Sequence, residues 1–135
     1  MIEITGEPIS LALVLSKAKT ANSGCVVTYV GVIRQYSRGK KVASVEYRDP
    51  EGVAASRLQK IANEARQQWQ LENIAITHRT GTLKVGDINL VVAVASAHRS
   101  EGFAASQFII DEFKRALPTQ KTETYEDGSS YSEGE

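Results

Sequence analysis

Short runs of apolar residues, several of them alternating with polar residues, predict six β-strands along this chain. Alternation is typical of a strand with one buried face, whereas a continuous apolar run is typical of a strand covered on both faces. Residues 88–95 are almost continuously apolar and are expected to form a central strand, while 2–5 alternate and are expected at an edge. The predicted strands span 2–5, 25–34, 42–48, 74–79, 88–95 and 121–126.

Three further segments repeat apolar residues every three or four positions, which predicts amphipathic helices. The first begins near Ser10, the second covers 53–69, and the third is expected to begin at Ser100. Serine is favourable at a helix N-terminus, and Pro118 would end the third helix because proline cannot donate a backbone hydrogen bond. The resulting order, β-α-β-β-α-β-β-α-β, indicates a single α+β domain with a mixed, mostly antiparallel sheet.

The charges are unevenly distributed, although the 135 residues contain 16 basic and 16 acidic side chains. All 16 basic residues lie in 1–122 together with 11 of the acidic ones, so this part carries a net charge of +5. The other five acidic residues give 123–135 a net charge of −5. We therefore expect one domain over 1–122, followed by an acidic, partly mobile C-terminal segment. Either that segment is simply solvated, or the basic domain is built to bind an anion.

Composition disfavours several classes of protein. Cys25 is the only cysteine, so an intrachain disulfide is impossible, and its apolar strand predicts a buried, unreactive thiol. With one cysteine and two histidines, no metal site is expected. We see no signal peptide, no apolar run of about 18 residues that would span a membrane, and no signature of RNA binding. We expect a soluble, cytoplasmic protein that requires no cofactor.

His98 and Arg99 occupy the junction between the predicted central strand and the third helix. The free N–H groups and the positive dipole of a helix N-terminus favour an anion there, and arginine adds a planar group that binds phosphate or carboxylate. Histidine can also donate a hydrogen bond or transfer a proton near neutral pH. The alternative is structural: Arg99 pairs with Glu101 and the His98 ring is buried. His78, by contrast, is expected to support a pair of strands.

Lys114 and Lys121 flank the helix-ending Pro118, so the chain can fold back and bring both amines near one point. Two lysines in one pocket could bind an anion or act as proton donor and acceptor, although both could equally be solvated. Arg34 ends the strand that Gly31 interrupts, where a bulge or a close approach of the backbone is expected. Arg34 becomes a candidate only if that backbone approaches a ligand.

Several segments, taken in order, resemble the large, catalytic subunit of molybdopterin synthase. They are GCVVTYVGVIRQYSRG, VEYRDPEGVAASRLQKIANEARQQW, ITHRTGTLKVGD and VASAHRSEGFAASQFIIDEFKRALPTQK. The most specific part is SAHR followed by a helix that ends in a lysine, then a proline, then a second lysine. The similarity covers about residues 20–131. It implies an α/β-hammerhead-like fold and a sulfurtransferase of molybdenum cofactor biosynthesis.

The resemblance also implies the reaction and the partners. Sulfur would move from a thiocarboxylate on the C-terminal glycine of a small ubiquitin-like subunit to cyclic pyranopterin monophosphate, which gives the dithiolene of molybdopterin. The large subunit would form a homodimer that binds one small subunit at each end, a heterotetramer. We expect no nucleic acid or membrane partner. The alternative is a non-catalytic homologue that only binds a ubiquitin-like sulfur carrier.

The family's functional residues match particular positions of this chain. Lys114 and Lys121 match the catalytic lysines, which are also expected to contact the substrate. The other expected substrate-binding residues are Val32, Ile33, Arg34, His98, Arg99, Thr122 and Glu123. By these assignments five cationic or ionisable groups would share one pocket. The chain departs from the family pattern at Gln120, Thr122, Ser130 and Tyr131, and a contribution of the last two to a neighbouring subunit's pocket is left open.

Overall fold

The computed structural model describes residues 1–134, and within this range the chain forms nine strands and three helices. In chain order they are β1 Ile2–Thr5, α1 Leu11–Ala18, β2 Cys25–Val32, β3 Tyr36–Ser37, β4 Lys40–Arg48, α2 Ala54–Gln68, β5 Asn73–Arg79, β6 Gly81–Leu83, β7 Ile88–Ser96, α3 Arg99–Arg115, β8 Gln120–Tyr125 and β9 Ser130–Glu133. The three helices and the mixed, mostly antiparallel strand pairing confirm the fold class predicted from the sequence.

β7 lies inside a four-stranded sheet with the order β1-β5-β7-β2. β1 runs parallel to β5, and the other neighbouring strands are antiparallel. Leu90, Val92 and Val94 belong to the core formed with α2 and α3, whereas Val91 and Ala93 pack with residues of α1 on the other face. Because helices cover both faces, β7 can be apolar at nearly every position, and its predicted central place is confirmed.

The second sheet has the order β3-β4-β8-β9, and β6 also pairs with β4. Its apolar side chains form a separate small core of Ile33, Val42, Val45, Tyr47, Leu83 and Tyr125. β4 and β8 are antiparallel, with Tyr47 opposite Lys121 and Val45 opposite Glu123. This pairing places Lys121 on the second sheet, while Lys114 stays at the end of α3.

β3, β6 and β9 are not predicted because their two to four residues lack the alternating apolar positions that mark the equally short β1. β3 and β4 form a tight hairpin in which Arg38 and Gly39 both have positive φ, at 55° and 74°. Two positive φ angles are typical of a type I′ turn, which usually carries asparagine followed by glycine. Arginine is unusual in the first of these positions, so the sequence of the turn does not mark the hairpin.

The beginnings of two helices test the serine caps that the sequence predicts. At α1 the prediction is confirmed, because Ser10 Oγ accepts a hydrogen bond from Leu13 N. At α3 it is wrong: the helix begins at Arg99, and Ser100 lies inside its first turn. His98 takes the N-cap position with an extended backbone and makes no capping hydrogen bond through its side chain. Among residues 1–134, no helix is long and apolar enough to cross a membrane.

The acidic segment that begins at residue 123 continues the second sheet. β8 and β9 form an antiparallel hairpin, and the domain boundary expected at residue 122 falls inside β8. Asp127 and Glu126, in the turn between them, pair with Lys40 and Lys41 at 3.1 and 3.8 Å. These acidic side chains therefore lie against the basic β3–β4 hairpin. The expected partial mobility stays a prediction, and residue 135 lies outside the described residues.

Candidate active site

A cavity of about 370 Å³ opens where β2, β4 and β8 approach the end of α3. Three cationic residues line it: Arg34, Lys114 and Lys121. Its remaining aromatic and polar lining consists of Tyr29, Tyr47, Asn89, Phe113 and Glu123. The structure therefore brings together the two lysines predicted as catalytic and one of the two arginines predicted to bind substrate.

The two lysines enter the cavity from different elements. Lys114 follows the buried Phe113 in the last turn of α3 and is exposed, whereas Lys121 is the second residue of β8 and is half-buried. α3 ends before Pro118, as predicted, and residues 116–119 lead the chain back to the second sheet. Lys114 is thus reachable from solvent, and Lys121 is the less accessible amine.

Lys121 is held between two carboxylates. Its Nζ lies 3.5 Å from Glu123 Oε2 and 3.5 Å from Glu133 Oε1. Glu123 is buried, and the hydroxyl groups of Ser37 and Tyr125 donate hydrogen bonds of 2.8 and 2.7 Å to its Oε1. Burial alone would raise the pKa of Glu123, but these hydrogen bonds and the Lys121 ammonium outweigh burial and hold the pKa below its usual value. This carboxylate is therefore ionised at neutral pH and orients Lys121.

The turn that carries Arg34 follows a β-bulge, because the β2–β7 register shifts just before Val32, as the sequence predicts. Ile33 N donates a hydrogen bond to Asp87 O at 2.9 Å, and Ile33 O accepts one from Gly86 N at 2.8 Å. Both backbone groups of Ile33 are thus used within the protein. Val32 is exposed, and within residues 1–134 the Arg34 guanidinium makes no ion pair. Arg34 is therefore available to an anion.

Thr122 does not line the cavity. Successive residues of a strand point to opposite faces, so Lys121 and Glu123 face the cavity and Thr122 faces away from it. The Thr122 hydroxyl lies 2.9 Å from Ser132 Oγ on β9. Of the two predicted substrate-binding residues that follow Lys121, the structure brings only Glu123 to the cavity.

His98 and Arg99 do not join this cavity within one chain. Arg99 and Lys114 stand near opposite ends of α3, roughly 22 Å apart at 1.5 Å per residue. His98 and Arg99 are exposed and line a separate surface cavity together with Cys25. Among residues 1–134, Arg99 makes no ion pair with Glu101, and the His98 ring is not buried. The expected convergence of five groups is thus wrong for a single chain, because the length of α3 separates them.

Cys25 is only partly buried, contrary to the expectation from its apolar strand. It begins β2, and its Sγ lies 3.5 Å from Ser96 Oγ on β7. The apolar pattern does not reveal this exposure, because β2 is an edge strand whose first residue adjoins the open N-terminus of α3.

Tyr47 and Asn89 also line the cavity, and neither is among the site residues predicted from the sequence. Asn89 Nδ2 donates a hydrogen bond of 3.1 Å to Tyr47 Oη. Burial raises the pKa of Tyr47 to about 12, although the hydrogen bond with Asn89 acts in the opposite direction, so the phenol is neutral in the physiological range. The sequence does contain one signal for this pair, namely Asn89, an amide within the apolar run 88–95. A buried amide requires hydrogen-bonding partners, so its presence in a buried strand indicates a polar site nearby.

In this α+β domain, Arg34, Lys114 and Lys121 line a cavity where the two sheets approach each other, and three cations around one cavity suit an anionic ligand. The chain belongs to the MoaE protein family, whose model matches residues 4–116. The matched range includes Arg34 and Lys114 and ends before Lys121.

Individual relatives extend this similarity over nearly the whole chain. A molybdopterin synthase catalytic subunit from Bacillus subtilis is 33% identical over 129 residues, which cover 96% of this chain and 82% of the relative. A protein with the same description from Nostoc sp. is 40% identical over 128 residues, or 94% of this chain and 78% of the relative. The crystal structure of molybdopterin synthase from Staphylococcus aureus has a TM-score of 0.89 at 32% identity, covering 98% and 96% of the two chains.

These similarities confirm the family, the fold and the class of enzyme, a sulfurtransferase, that the sequence predicts. They do not favour the non-catalytic alternative, because the relatives are described as catalytic subunits.

Proposed function

We propose that this chain is the sulfur-transferring subunit of a molybdopterin synthase. Its substrate is cyclic pyranopterin monophosphate, and its sulfur donor is the thiocarboxylated C-terminal glycine of a small ubiquitin-like partner. The observation that carries this proposal is the single cavity lined by Arg34, Lys114 and Lys121. Both reactants are anionic, and three cations around one cavity attract them and hold them close together.

Lys114 and Lys121 act on the reacting groups. Lys114 is exposed at the end of α3, so a peptide end that enters from solvent meets it before the less accessible Lys121. The thiocarboxylate sulfur forms a bond to a substrate carbon as a carbon–oxygen bond at that atom breaks, and the oxygen departs with the electron pair and takes up a proton. Water then adds to the acyl carbon and cleaves the acyl–sulfur bond. Sulfur stays on the pterin, and the partner leaves as a carboxylate. A second thiocarboxylated partner repeats the step at the neighbouring carbon, so that two sulfur atoms form the dithiolene. Both ammonium groups stabilise the negative charge that develops on the acyl oxygen.

Arg34 positions the substrate. Its guanidinium can bind a phosphate with two parallel hydrogen bonds, and it has no competing ion pair among residues 1–134. The exposed Val32 and the backbone around Ile33 form the adjoining wall. Glu123 borders the substrate through its ion pair with Lys121, and Thr122 acts indirectly by holding β9 against β8.

His98 and Arg99 serve the same reaction from a second copy of the chain. Because they stand roughly 22 Å from Lys114 along α3, only another chain can bring them to its cavity. In a homodimer, the exposed N-terminus of α3 in one subunit binds the substrate phosphate over the cavity of the other. With one small subunit at each cavity, the assembly is a heterotetramer.

Reconstituted turnover tests the proposal. The protein is mixed with the thiocarboxylated small subunit and cyclic pyranopterin monophosphate, and the dithiolene product is measured. Lys114→Ala is expected to lower kcat about 10²- to 10³-fold, the usual effect of removing one group that stabilises transition-state charge. Lys60→Ala, which removes an exposed lysine of α2, is the control and should keep wild-type turnover. Unchanged turnover in Lys114→Ala, or stable partner binding by the wild type without product, would reject the proposal.

We place this activity in the cytoplasm. The support is that the relatives are described as synthases of molybdopterin, which makes them biosynthetic enzymes. Fractionation of cells that express the chain, followed by detection in the cytosolic fraction, tests the assignment.

A further inference from the structure

His78 is a histidine that the proposed mechanism does not use, and it is completely buried behind the wall of the cavity. Its ring makes edge contacts with Tyr47 and Phe113, at centroid distances of 5.0 and 5.2 Å. Both of these aromatic residues line the cavity. A displacement of the imidazole would therefore move the cavity wall, because close-packed interiors transmit strain.

Two hydrogen bonds determine the tautomer of His78. Nδ1 lies 2.8 Å from Asn89 O, and a carbonyl oxygen can only accept, so Nδ1 carries the proton. Nε2 lies 2.9 Å from Thr119 Oγ1, and it therefore accepts a hydrogen bond from that hydroxyl. Burial lowers the pKa of His78 more than the hydrogen bond to Asn89 raises it, which agrees with a neutral ring.

The groups that His78 contacts are each close to one of the two lysines. Phe113 immediately precedes Lys114 on α3, and Tyr47 is the direct strand partner of Lys121. Thr119, which is also buried, lies in the connection between α3 and β8, two residues before Lys121. One imidazole thus contacts the helix that carries Lys114, the strand beside Lys121 and the segment that joins them.

We propose that His78 and Thr119 are positioning residues that fix the placement of Lys114 relative to Lys121 for sulfur transfer. This inference rests on the proposed function. Neither residue touches the substrate. The hydrogen bond from the Thr119 hydroxyl to Nε2 holds residues 116–119 in the one arrangement that brings both amines to the cavity. A small displacement of a reacting group costs a large part of the rate, because transition-state stabilisation depends on geometry more strongly than binding does.

Substitutions at Thr119 separate its hydroxyl group from its volume. Thr119→Val keeps the shape and removes the donor, and we expect kcat to fall about tenfold or more with KM within about twofold of the wild type. Thr119→Ser keeps the donor and should restore kcat to within about twofold. Thr77→Val is the matched control, because Thr77 is buried beside His78 and its hydroxyl has no hydrogen-bond partner among residues 1–134. It should leave kcat unchanged.

The ¹⁵N NMR signals of the imidazole provide a measurement that does not depend on turnover. In the wild type, Nδ1 should be protonated and Nε2 unprotonated, and the Nε2 signal should shift in Thr119→Val but remain in place in Thr119→Ser and Thr77→Val. A ring protonated at Nε2, wild-type kcat in Thr119→Val, or equal losses in the valine and serine variants would overturn the inference. The wild-type spectrum decides the tautomer even if the valine variant does not fold.

Failure of this inference differs from failure of the proposed function. If the wild type gives no dithiolene product, the proposed function fails, whatever the variants do. The placement of the lysines can then still be examined through the rates at which an amine-directed acylating reagent modifies Lys114 and Lys121. Those rates should change in Thr119→Val and remain at the wild-type values in Thr77→Val; unchanged rates in both would overturn the inference.

Discussion

Glu123 places a negative charge in a cavity that we propose binds anions. Its hydrogen bonds and its ion pair explain why this carboxylate does not prevent anion binding. Ser37 and Tyr125 both donate hydrogen bonds to its Oε1, and its Oε2 pairs with Lys121. Arg34 and Lys114 make no ion pair among residues 1–134, so they keep their charge for a ligand. Glu123 therefore orients one cation and leaves the other two free.

Removal of the Ser37 hydroxyl tests this arrangement. Ser37→Ala takes away a buried donor to a charged group, and we expect the free energy of unfolding at pH 7 to fall by about 1–2 kcal/mol. The folded-state pKa of Glu123 is depressed, so the stability that it contributes is present above its usual value of 4.5 and is lost as the pH falls through the folded-state pKa. The difference between variant and wild type should therefore shrink below pH 4.5. Urea unfolding of both proteins between pH 7 and pH 3 measures this difference in the free energy of unfolding.

Ser132→Ala is the control for that experiment. Ser132 is exposed and bonds a neutral hydroxyl, so its loss should change the free energy of unfolding by less than about 0.5 kcal/mol at every pH. A Ser37→Ala effect that stays constant from pH 7 to pH 3 would show that the carboxylate does not receive this hydrogen bond.

The β8–β9 hairpin holds Lys121 in place, and its side chains contact the basic β3–β4 hairpin. The Arg38 guanidinium lies 3.3 Å from the centre of the Tyr131 ring, and Lys40 Nζ lies 2.8 Å from Ser129 Oγ. Hydrogen bonds from the Ser129 side chain and backbone, together with Lys40, lower the pKa of Asp127 to about 2. Asp127 is therefore ionised near neutral pH and keeps its ion pair with Lys40. Together these contacts hold the two hairpins against each other and place Glu133 beside Lys121.

Glu133 competes with an anionic substrate for Lys121. Glu133→Gln removes one of the two carboxylates that pair with this lysine, and we expect KM for cyclic pyranopterin monophosphate to fall about two- to fivefold, the range of a partly exposed ion pair. Glu126→Gln is the control: it makes the same change of charge in the same hairpin but affects Lys41 instead. Steady-state kinetics of both variants measure the effect, and equal changes in KM would point to net charge instead of the local pair.

The elements with a repeating apolar pattern could be predicted from the sequence, including the four-residue β1, whereas β3, β6 and β9 could not. β7, α2 and α3 contain 9 to 17 residues, enough for the apolar pattern to repeat several times. β3 and β9 pair with their neighbours in the chain but contain too few apolar residues to be recognised, whereas β6 pairs with the distant β4, and that information is not local. The strand predicted at 121–126 is β8, in which the alternate residues Glu123 and Tyr125 are buried, whereas the acidic composition of 123–135 did not indicate β9.

At the scale of the whole molecule, some of the basic residues pair with the acidic C-terminal segment and others remain available to a ligand. Acidic residues of the C-terminal segment pair with Lys40, Lys41 and Lys121, so much of the opposite charge seen along the sequence is neutralised within the second sheet. The cations without such partners among residues 1–134 include Arg34 and Lys114, which share the cavity. The net charge of zero thus conceals a local excess of positive charge.

The membership of the candidate site could be predicted only in part. Lys114, Lys121 and Arg34 follow from the family resemblance, and the turn at Pro118 explains how the first two meet. His98 and Arg99 lie apart from them within one chain, because the third helix separates its two ends by its full length. Sequence alone does not say whether residues that act on one substrate belong to one chain, because that depends on how chains assemble.

Mixing two inactive variants decides whether the site is shared between chains. If Lys114 acts with His98 and Arg99 of a second copy, then Lys114→Ala and the double variant His98→Ala, Arg99→Ala are each inactive alone. In a mixed dimer one cavity carries both defects and the other carries none. Random exchange of equal amounts makes half of the dimers mixed, so we expect about a quarter of the wild-type turnover to return.

A control mixture and a check of subunit exchange are needed to interpret the recovered turnover. Mixing Lys114→Ala with Lys121→Ala should restore nothing, because both lysines line the same cavity of one chain and no mixed dimer contains an intact pair. The subunits must be exchanged by brief dilution in mild denaturant and recombined before the small subunit is added. If turnover does not return although exchange is verified by mass spectrometry of labelled chains, His98 and Arg99 do not act across the dimer, and the cavity of each chain must bind the substrate phosphate through its own Arg34 and lysines.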